Sequence, residues 1–139
     1  MTTRANPFIH TRQRHFEETA EDYTELIADL IAEHGEARTC EIAKHLGVSH
    51  VTVVRTLKRL QSEGYLTTAP HKPVVLTEKG ASLAQSCKKR HSVVVDFLLS
   101  LGISESVAEM DAEGMEHHIS DETLEAFRKH LNLLTVSHG

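Results

Sequence analysis

Apolar residues recur every three to four positions along most of the chain, which is the period of an amphipathic helix. In the first such stretch, from about residue 13 to Gly35, the apolar positions are Tyr23, Leu26, Ile27, Leu30 and Ile31. Similar stretches predict helices over residues 39–46, 50–62, 79–101, 104–118 and 120–134. Residues 65–68 and 74–77 instead have the character of two short strands, joined by a turn that contains Pro70. The sequence therefore predicts a mainly α fold with a small β-wing.

Two short helices, a glycine-containing turn and a β-hairpin follow each other in the order of a winged helix-turn-helix. Gly47 lies in the turn, and Ser49 occupies the position that caps the next helix. The predicted core of this module consists of Ile42, Ala43, Leu46, Val48, Val53, Leu57 and Leu60. The alternative is a pair of helices whose basic residues only form a solvated face. This alternative does not explain why a capped turn and a β-hairpin accompany the two helices.

Once that core is assigned, the outward positions of the helix over residues 50–62 become candidate DNA contacts. The candidate surface, with one residue from the hairpin, is Ser49, His50, Val51, Thr52, Val54, Arg55, Lys58, Arg59 and Lys72. Near the helix N-terminus, Val51 and Thr52 suit the thymine methyl group and Arg55 suits guanine. The remaining basic residues suit phosphates: Lys58, Arg59 and Lys72. Because one module offers few contacts, we expect a two-fold dimer that reads two half-sites.

Charge is distributed unevenly between the parts of the chain. The net charge of −5 taken alone argues against a nucleic-acid binder. Between residues 36 and 79, however, seven Lys or Arg residues stand against four Asp or Glu residues, so this segment carries +3 and the remainder carries −8. Such a split is expected when one part meets a polyanion and another part meets cations.

The general composition is that of an ordinary soluble protein. A chain of 139 residues with 40% hydrophobic and 25% charged residues suits one compact domain or two very small ones. No apolar run approaches the roughly 20 residues of a membrane helix, and the N-terminus lacks the apolar centre of a secretory signal. Cys40 and Cys87 are too few for a disulfide framework. We therefore expect a cytoplasmic protein without a membrane partner.

Potential metal ligands are concentrated in DAEGMEHHIS, residues 111–120. In a helix that turns about 100° per residue, Glu113, Glu116 and His117 share one face. The ordinary alternative for an isolated E-x-x-E-H is a solvated acidic face. Adjacent positions diverge, so we expect His118 to lie outside any ligand set.

Two other predicted helices add similar donors. Asp22 and Glu25 stand at i and i+3 in the first helix, and His91 lies in the middle of the long helix after the hairpin. Carboxylates are hard donors suited to Mn²⁺, Fe²⁺ or Mg²⁺, and imidazole adds a preference for transition metals. Four carboxylates exceed the need of one ion, which favours two ions with bridging oxygens. A softer zinc or iron site that includes Cys87, four residues before His91, is the alternative.

These motifs together resemble one known family. The run EDYTELIADLIAEHGEARTCEIAKHLGVS, the helix over residues 50–62, RHSVVVDFLLSLGI and DAEGMEHHIS resemble the diphtheria toxin repressor family, most closely its manganese transport regulator branch. The resemblance spans roughly residues 20–125 and implies a homodimer with an N-terminal winged helix domain and a helical dimerisation domain. It also implies a metal-ligand role for Asp22, Glu25, His91, Glu113, Glu116 and His117.

The same resemblance bears on the choice of metal. The iron-responsive branch has a methionine at the position of Asp22 and a cysteine at the position of Glu113. Oxygen donors at both positions favour manganese over softer ions.

We therefore expect a flexible tail at residues 1–19, a winged helix-turn-helix DNA-binding domain at 20–80, and a helical metal-binding and dimerisation domain at 81–139. The expected function is a manganese-responsive repressor of manganese-uptake genes, activated for operator binding by Mn²⁺, with two ions per subunit, held between the first helix and the dimerisation domain. The alternatives are an iron- or zinc-responsive repressor of the same fold, a winged helix regulator whose carboxylates only solvate it, and a di-metal hydrolase. We do not expect an enzyme, because the middle third of the chain forms a DNA module.

Overall fold

The computed structural model describes residues 5–138, which form helices with one small antiparallel sheet. The helices are α1 (Ala5–His34), α2 (Thr39–Leu46), α3 (His50–Ser62), α4 (Glu78–Ser100), α5 (Glu105–Met115) and α6 (Asp121–His138). The strands β1 (Leu66–Thr67) and β2 (Val75–Leu76) lie between α3 and α4, and we call residues 66–76 the wing. This order confirms the mainly α fold with a small β-wing. None of the described helices is long and apolar enough to cross a membrane.

The chain divides into two compact units within α4. Unit 1 ends at Gln85 and unit 2 begins at Ser86, whereas the sequence placed the boundary between residues 80 and 81. Both positions lie in the first half of the same helix. A continuous helix carries no glycine or proline stop at such a boundary, so local sequence signals do not mark it.

Helix α1 begins earlier than its apolar pattern indicates. It starts at Ala5, so the flexible tail expected over residues 1–19 is wrong for residues 5–19. Pro7 does not prevent helix formation because it lies in the first turn, where the N–H that proline lacks would have no helical partner. The rest of the expected tail, residues 1–4, lies outside the described residues.

The core of unit 1 is formed by α1, α2, α3 and the wing. Its buried side chains include Tyr23, Ile27, Leu30, Ile42, Val53, Leu57, Leu60, Leu66 and Val74. The prediction of a buried Val48 is wrong, because this side chain is 40% exposed. Gly47 ends α2 with a φ of 68°, and this left-handed turn leads the chain out of the helix before Val48, whose N–H bonds to the carbonyl of Ala43.

Backbone hydrogen bonds attach the wing to the rest of unit 1. Strands β1 and β2 pair with Leu66 opposite Leu76, and the Val74 N–H donates to the carbonyl of Ala37, which precedes α2, at 2.8 Å. Gly80, in the first turn of α4, lies so close to the carbonyl of Tyr65 that a Cβ atom would overlap it. The wing is therefore fixed by the segment before α2, and the residue that precedes the wing packs closely against the first turn of α4.

Unit 2 has a separate core formed by the later part of α4, α5 and α6. Val94, Val95 and Leu98 of α4 are buried with Ala108, Ala112 and Leu124. The ring of Phe97 stacks on that of Phe127 with centroids 3.9 Å apart. Leu101, the last residue of the helix predicted over 79–101, follows the end of α4 and is 59% exposed.

Candidate nucleic-acid interface and metal centre

Helix α3 begins with a side-chain cap, which confirms the cap predicted at Ser49. The Thr52 N–H donates to Ser49 Oγ at 3.1 Å, and the Ser49 hydroxyl donates to Thr52 Oγ1 at 2.9 Å. The cap engages both hydroxyl groups, whereas Val51 is 65% exposed and Arg55 is also exposed. The beginning of α3 thus presents an aliphatic side chain and a guanidinium to solvent.

A cavity of about 620 Å³ lies in unit 1 between the beginning of α2, one side of α3 and the wing. Its lining contains four of the predicted contacts, His50, Val54 and Lys58 from α3 and Lys72 from the wing. Arg38 and His71 lie in the same lining. Cationic side chains gathered around one concave surface produce a positive potential that attracts a phosphate backbone.

Arg38 is a residue of this surface that the sequence analysis missed. Its Nε donates to Glu36 Oε1 at 2.9 Å and its Nη1 donates to the carbonyl oxygen of His71 at 3.4 Å. His71 follows Pro70 and has a φ of 63°, a left-handed conformation that residues other than glycine seldom adopt. Arg38 therefore connects the segment before α2 to the tip of the wing. No local pattern signals a contact between residues so distant in sequence.

The guanidinium of Arg59, predicted to meet phosphate, has a partner within unit 1. It lies 3.9 Å from the ring centroid of Phe16 in α1, in a cation–π arrangement. Arg59 is exposed but does not line the basic cavity that contains Lys58 and Lys72. The structure thus separates Arg59 from the other two basic residues with which the sequence grouped it.

Helix α1 provides the carboxylates of unit 1. Asp22 and Glu25 are three residues apart within the helix, so they lie side by side, and both are partly buried. Tyr23, between them, is buried in the core of unit 1. Glu18 is also partly buried one turn before Asp22, and the sequence analysis missed it although the i, i+4 spacing was visible.

In unit 2 the structure corrects the predicted end of the helix that carries the E-x-x-E-H motif. Helix α5 ends at Met115 rather than near His118, and Glu116 is its C-cap. Glu116 keeps helical dihedral angles, with φ −59° and ψ −30°, but the following backbone turns back on Met115. The three predicted ligands also differ in environment: Glu113 is exposed, whereas the side chains of Glu116 and His117 are each only 3% exposed.

His91 connects α4 to α5 through two carboxylates. Its Nδ1 lies 2.8 Å from Glu116 Oε2, and its Nε2 lies 2.7 Å from Glu109 Oε2. His117 Nε2 lies 3.5 Å from the other oxygen of Glu116. Glu109 was missed by the sequence analysis, although it precedes Glu113 by one helical turn. The structure therefore brings together His91, Glu116 and His117 in one cluster and adds Glu109 to it.

The surroundings of His91 change its affinity for protons. Burial by itself would lower the pKa of the imidazole, but the hydrogen bond to Glu109 and the negative charge of Glu116 raise it, so the net pKa lies above the ordinary value. A cation is thus favoured between these carboxylates.

The donor set fits a hard divalent transition metal better than a soft one. Both ring nitrogens of His91 face carboxylate oxygens rather than the thiol of Cys87, which is buried. This arrangement argues against the softer alternative with sulfur ligation. Carboxylate oxygens with imidazole nitrogens are donors that Mn²⁺ and Fe²⁺ accept. His118 is exposed, and its place outside the ligand set stays a prediction.

Comparison with known families assigns the two parts of the chain. Residues 15–74 match the N-terminal DNA-binding domain of iron-dependent repressors, and residues 77–138 match their metal-binding and dimerisation domain. This chain belongs to the iron-dependent repressor family. It falls in the manganese transport regulator branch, as the sequence motifs indicated. The family consists of transcriptional regulators, so the hydrolase alternative is not favoured.

Named relatives agree with this assignment. The transcriptional regulator MntR of Escherichia coli is 50% identical over 132 residues, which cover 95% of this chain and 83% of the relative. MntR of Salmonella typhi is 52% identical over 86% of this chain and 76% of the relative. MntR of Geobacillus kaustophilus is 39% identical over 72% of this chain and 71% of the relative.

Solved structures show the same fold. The manganese regulator SloR has a TM-score of 0.71 and 30% identity over 81% of this chain. A manganese-dependent transcriptional repressor in complex with manganese has a TM-score of 0.72 and 27% identity over 81% of this chain. In these two comparisons the chain spans about half the length of the solved protein, 53% and 52% respectively.

The raised pKa of His91 leads to a prediction for the metal-free protein. A pKa raised on folding stabilises the fold fully below the unfolded value of about 6.5, and this contribution is lost as pH rises through the folded pKa. We expect the melting temperature of the wild type, relative to His91→Gln, to be highest near pH 6 and to decline towards pH 8.5. Thermal melts in chelator over this range measure the difference. The exposed His34→Gln serves as control, and a wild-type advantage that grows with pH would contradict the assigned pKa direction.

Proposed function

We propose that the protein is a manganese-responsive repressor of manganese-uptake genes that binds operator DNA as a homodimer in the cytoplasm. The observation that carries the proposal is the cluster in unit 2, where the buried Glu116 lies 2.8 Å from the imidazole of His91. This cluster belongs to the segment that matches a metal-binding and dimerisation domain. Support for manganese comes from the relatives named MntR and from the solved repressor that contains manganese.

The proposed ligands are Asp22, Glu25, His91, Glu113, Glu116 and His117. When bound, Mn²⁺ supplies positive charge that compensates the carboxylates. Oxygen donors at residues 22 and 113 support manganese over softer ions, because the iron-responsive branch has sulfur donors there. Four carboxylates in the set support two ions per subunit with shared oxygens.

In this proposal the ligands come from both units, and this division makes DNA binding responsive to metal. Helix α1, which contributes Asp22 and Glu25, also packs in the core of the DNA-binding unit through Tyr23 and Ile27. Fixing its carboxylates would therefore restrict the arrangement of the recognition helices in the dimer. Couplings of this kind typically amount to about 1–3 kcal/mol.

For DNA, the proposal assigns two roles to the surface of unit 1. Val51 and Arg55, which are exposed at the beginning of α3, read base edges together with Thr52. The basic cavity containing Lys58 and Lys72 holds a phosphate of the DNA backbone. Ser49, His50, Val54 and Arg59 remain proposed members of the same interface.

The metal response is tested by measuring operator affinity with and without Mn²⁺, Fe²⁺ and Zn²⁺, using DNA from the promoter of a manganese-uptake gene. We expect Mn²⁺ to raise affinity about 5- to 150-fold and to act better than the other two ions. Glu25→Ala and His117→Ala should fold but lose the response, because each removes one proposed ligand.

The matched control is Glu33→Ala, which removes an exposed carboxylate from the same helix as Glu25. It should retain the full response to Mn²⁺. An unchanged Mn²⁺ dependence in Glu25→Ala and His117→Ala would show that the ligand assignment is wrong. A wild type that binds operator equally with and without every metal would contradict the function itself.

The two DNA roles predict different mutational effects. Arg55→Ala should cost about 1–3 kcal/mol on the operator and relax the preference at one base pair, because a guanidinium reads a base edge. Lys72→Ala should weaken operator and unrelated DNA equally and reduce the slope of log affinity against log salt by about 1. Fluorescence anisotropy over a salt series, with operator and scrambled duplexes, measures both. Equal effects of the two variants on specificity would reject this division of roles.

A further inference from the structure

The imidazole of His91 is held between two carboxylates that differ in environment. Glu116, on the Nδ1 side, has a side chain that is 3% exposed, whereas Glu109, on the Nε2 side, has one that is 52% exposed. The two nitrogen-to-oxygen distances are 2.8 and 2.7 Å, both within hydrogen-bond range. The ring therefore has one buried carboxylate partner and one at the surface of unit 2.

These positions determine which nitrogen is available to an ion. An ion that is bound by both His91 and Glu116 must lie on the side of the ring that faces Glu116, which is the Nδ1 side. A neutral imidazole with a metal on Nδ1 carries its proton on Nε2. That N–H points to Glu109, whose carboxylate is placed to accept it.

We infer that Glu109 is a positioning residue for the metal centre, which accepts a hydrogen bond from His91 Nε2–H and thereby reserves Nδ1 for the ion. The inference rests on the proposed function, because it takes His91 and Glu116 as ligands. A carboxylate behind a ligating histidine fixes its tautomer and ring orientation and makes the nitrogen a better donor. Glu109 itself is not a ligand in this arrangement.

Glu109 lies at the surface of unit 2 and not in its core. Its side chain is half exposed, and pairs at such positions contribute little to folding because water screens them. Its neighbour Met110 is 71% exposed, so this side of α5 does not belong to the core.

The first test measures Mn²⁺ affinity of the full chain by electron paramagnetic resonance of the free ion. Glu109→Ala should weaken Mn²⁺ binding about 10-fold, the lower end of the usual effect of such second-layer partners. Glu109→Gln should recover most of the loss, because its amide oxygen can accept the same hydrogen bond. Asp111→Ala, which removes an exposed carboxylate from the opposite side of α5, should bind as tightly as the wild type. In chelator at pH 8.5, where the stabilising contribution of the His91 proton is lost, the melting temperatures of all these variants should agree.

The second test reads the tautomer directly by ¹⁵N NMR of histidine-labelled protein loaded with Cd²⁺, a diamagnetic ion of similar size to Mn²⁺. The His91 signals are assigned by their absence in His91→Gln. We expect Cd²⁺ on Nδ1 and a proton on Nε2. A metal on Nε2 would overturn the inference, because the ion would then replace the contact with Glu109.

A third variant separates this inference from the function on which it rests. If His91→Ala abolishes tight Mn²⁺ binding while Glu109→Ala matches Asp111→Ala, then the metal site stands and the positioning role is rejected. If His91→Ala leaves Mn²⁺ affinity unchanged, then the proposed site fails and the role of Glu109 fails with it.

Discussion

The buried carboxylate of Glu116 is the constraint on which the organisation of unit 2 depends. An ionised carboxyl that is 3% exposed is costly unless hydrogen bonds or a cation compensate it. His91 from α4 and His117 from the turn after α5 both approach it, at 2.8 and 3.5 Å. Alanines at 108 and 112, buried on the same helix, accompany this close packing of α4 and α5. The groups that compensate Glu116 thus also fix the relative position of two helices.

The same constraint explains why a metal ion suits this unit. Without an ion, a proton on His91 supplies positive charge beside Glu116, and the raised pKa of the imidazole indicates that the surroundings favour it. A divalent ion supplies more charge and accepts both oxygen and nitrogen donors. In the proposed site the metal ion therefore competes with a proton for the imidazole of His91. The DNA surface has the opposite charge balance, since residues 36–79 carry +3 while the rest of the chain carries −8.

Local sequence signals predicted the elements of the fold but not the contacts between distant residues. The bounds of α2 and α3 follow from apolar period, the Ser49 cap and the glycine stops, and the structure confirms them. The contacts of Glu109 and Arg38 were not predicted, because their partners lie 18 and 33 residues away in the sequence. No periodic pattern indicates a contact over such a distance. The end of α5 was placed too late because no glycine or proline follows Met115.

Thermal unfolding in the presence of Mn²⁺ shows whether Glu116 and its imidazole partner bind the activating ion. Thermal unfolding is recorded for the wild type and Glu116→Gln, each with increasing Mn²⁺, because an ion that binds only the folded state raises the melting temperature by mass action. Glutamine keeps the size and a hydrogen-bonding oxygen but loses the charge. If Glu116 is a ligand, the melting temperature of the wild type rises with Mn²⁺ and that of Glu116→Gln rises little or not at all. An equal rise in both proteins would contradict this role of Glu116.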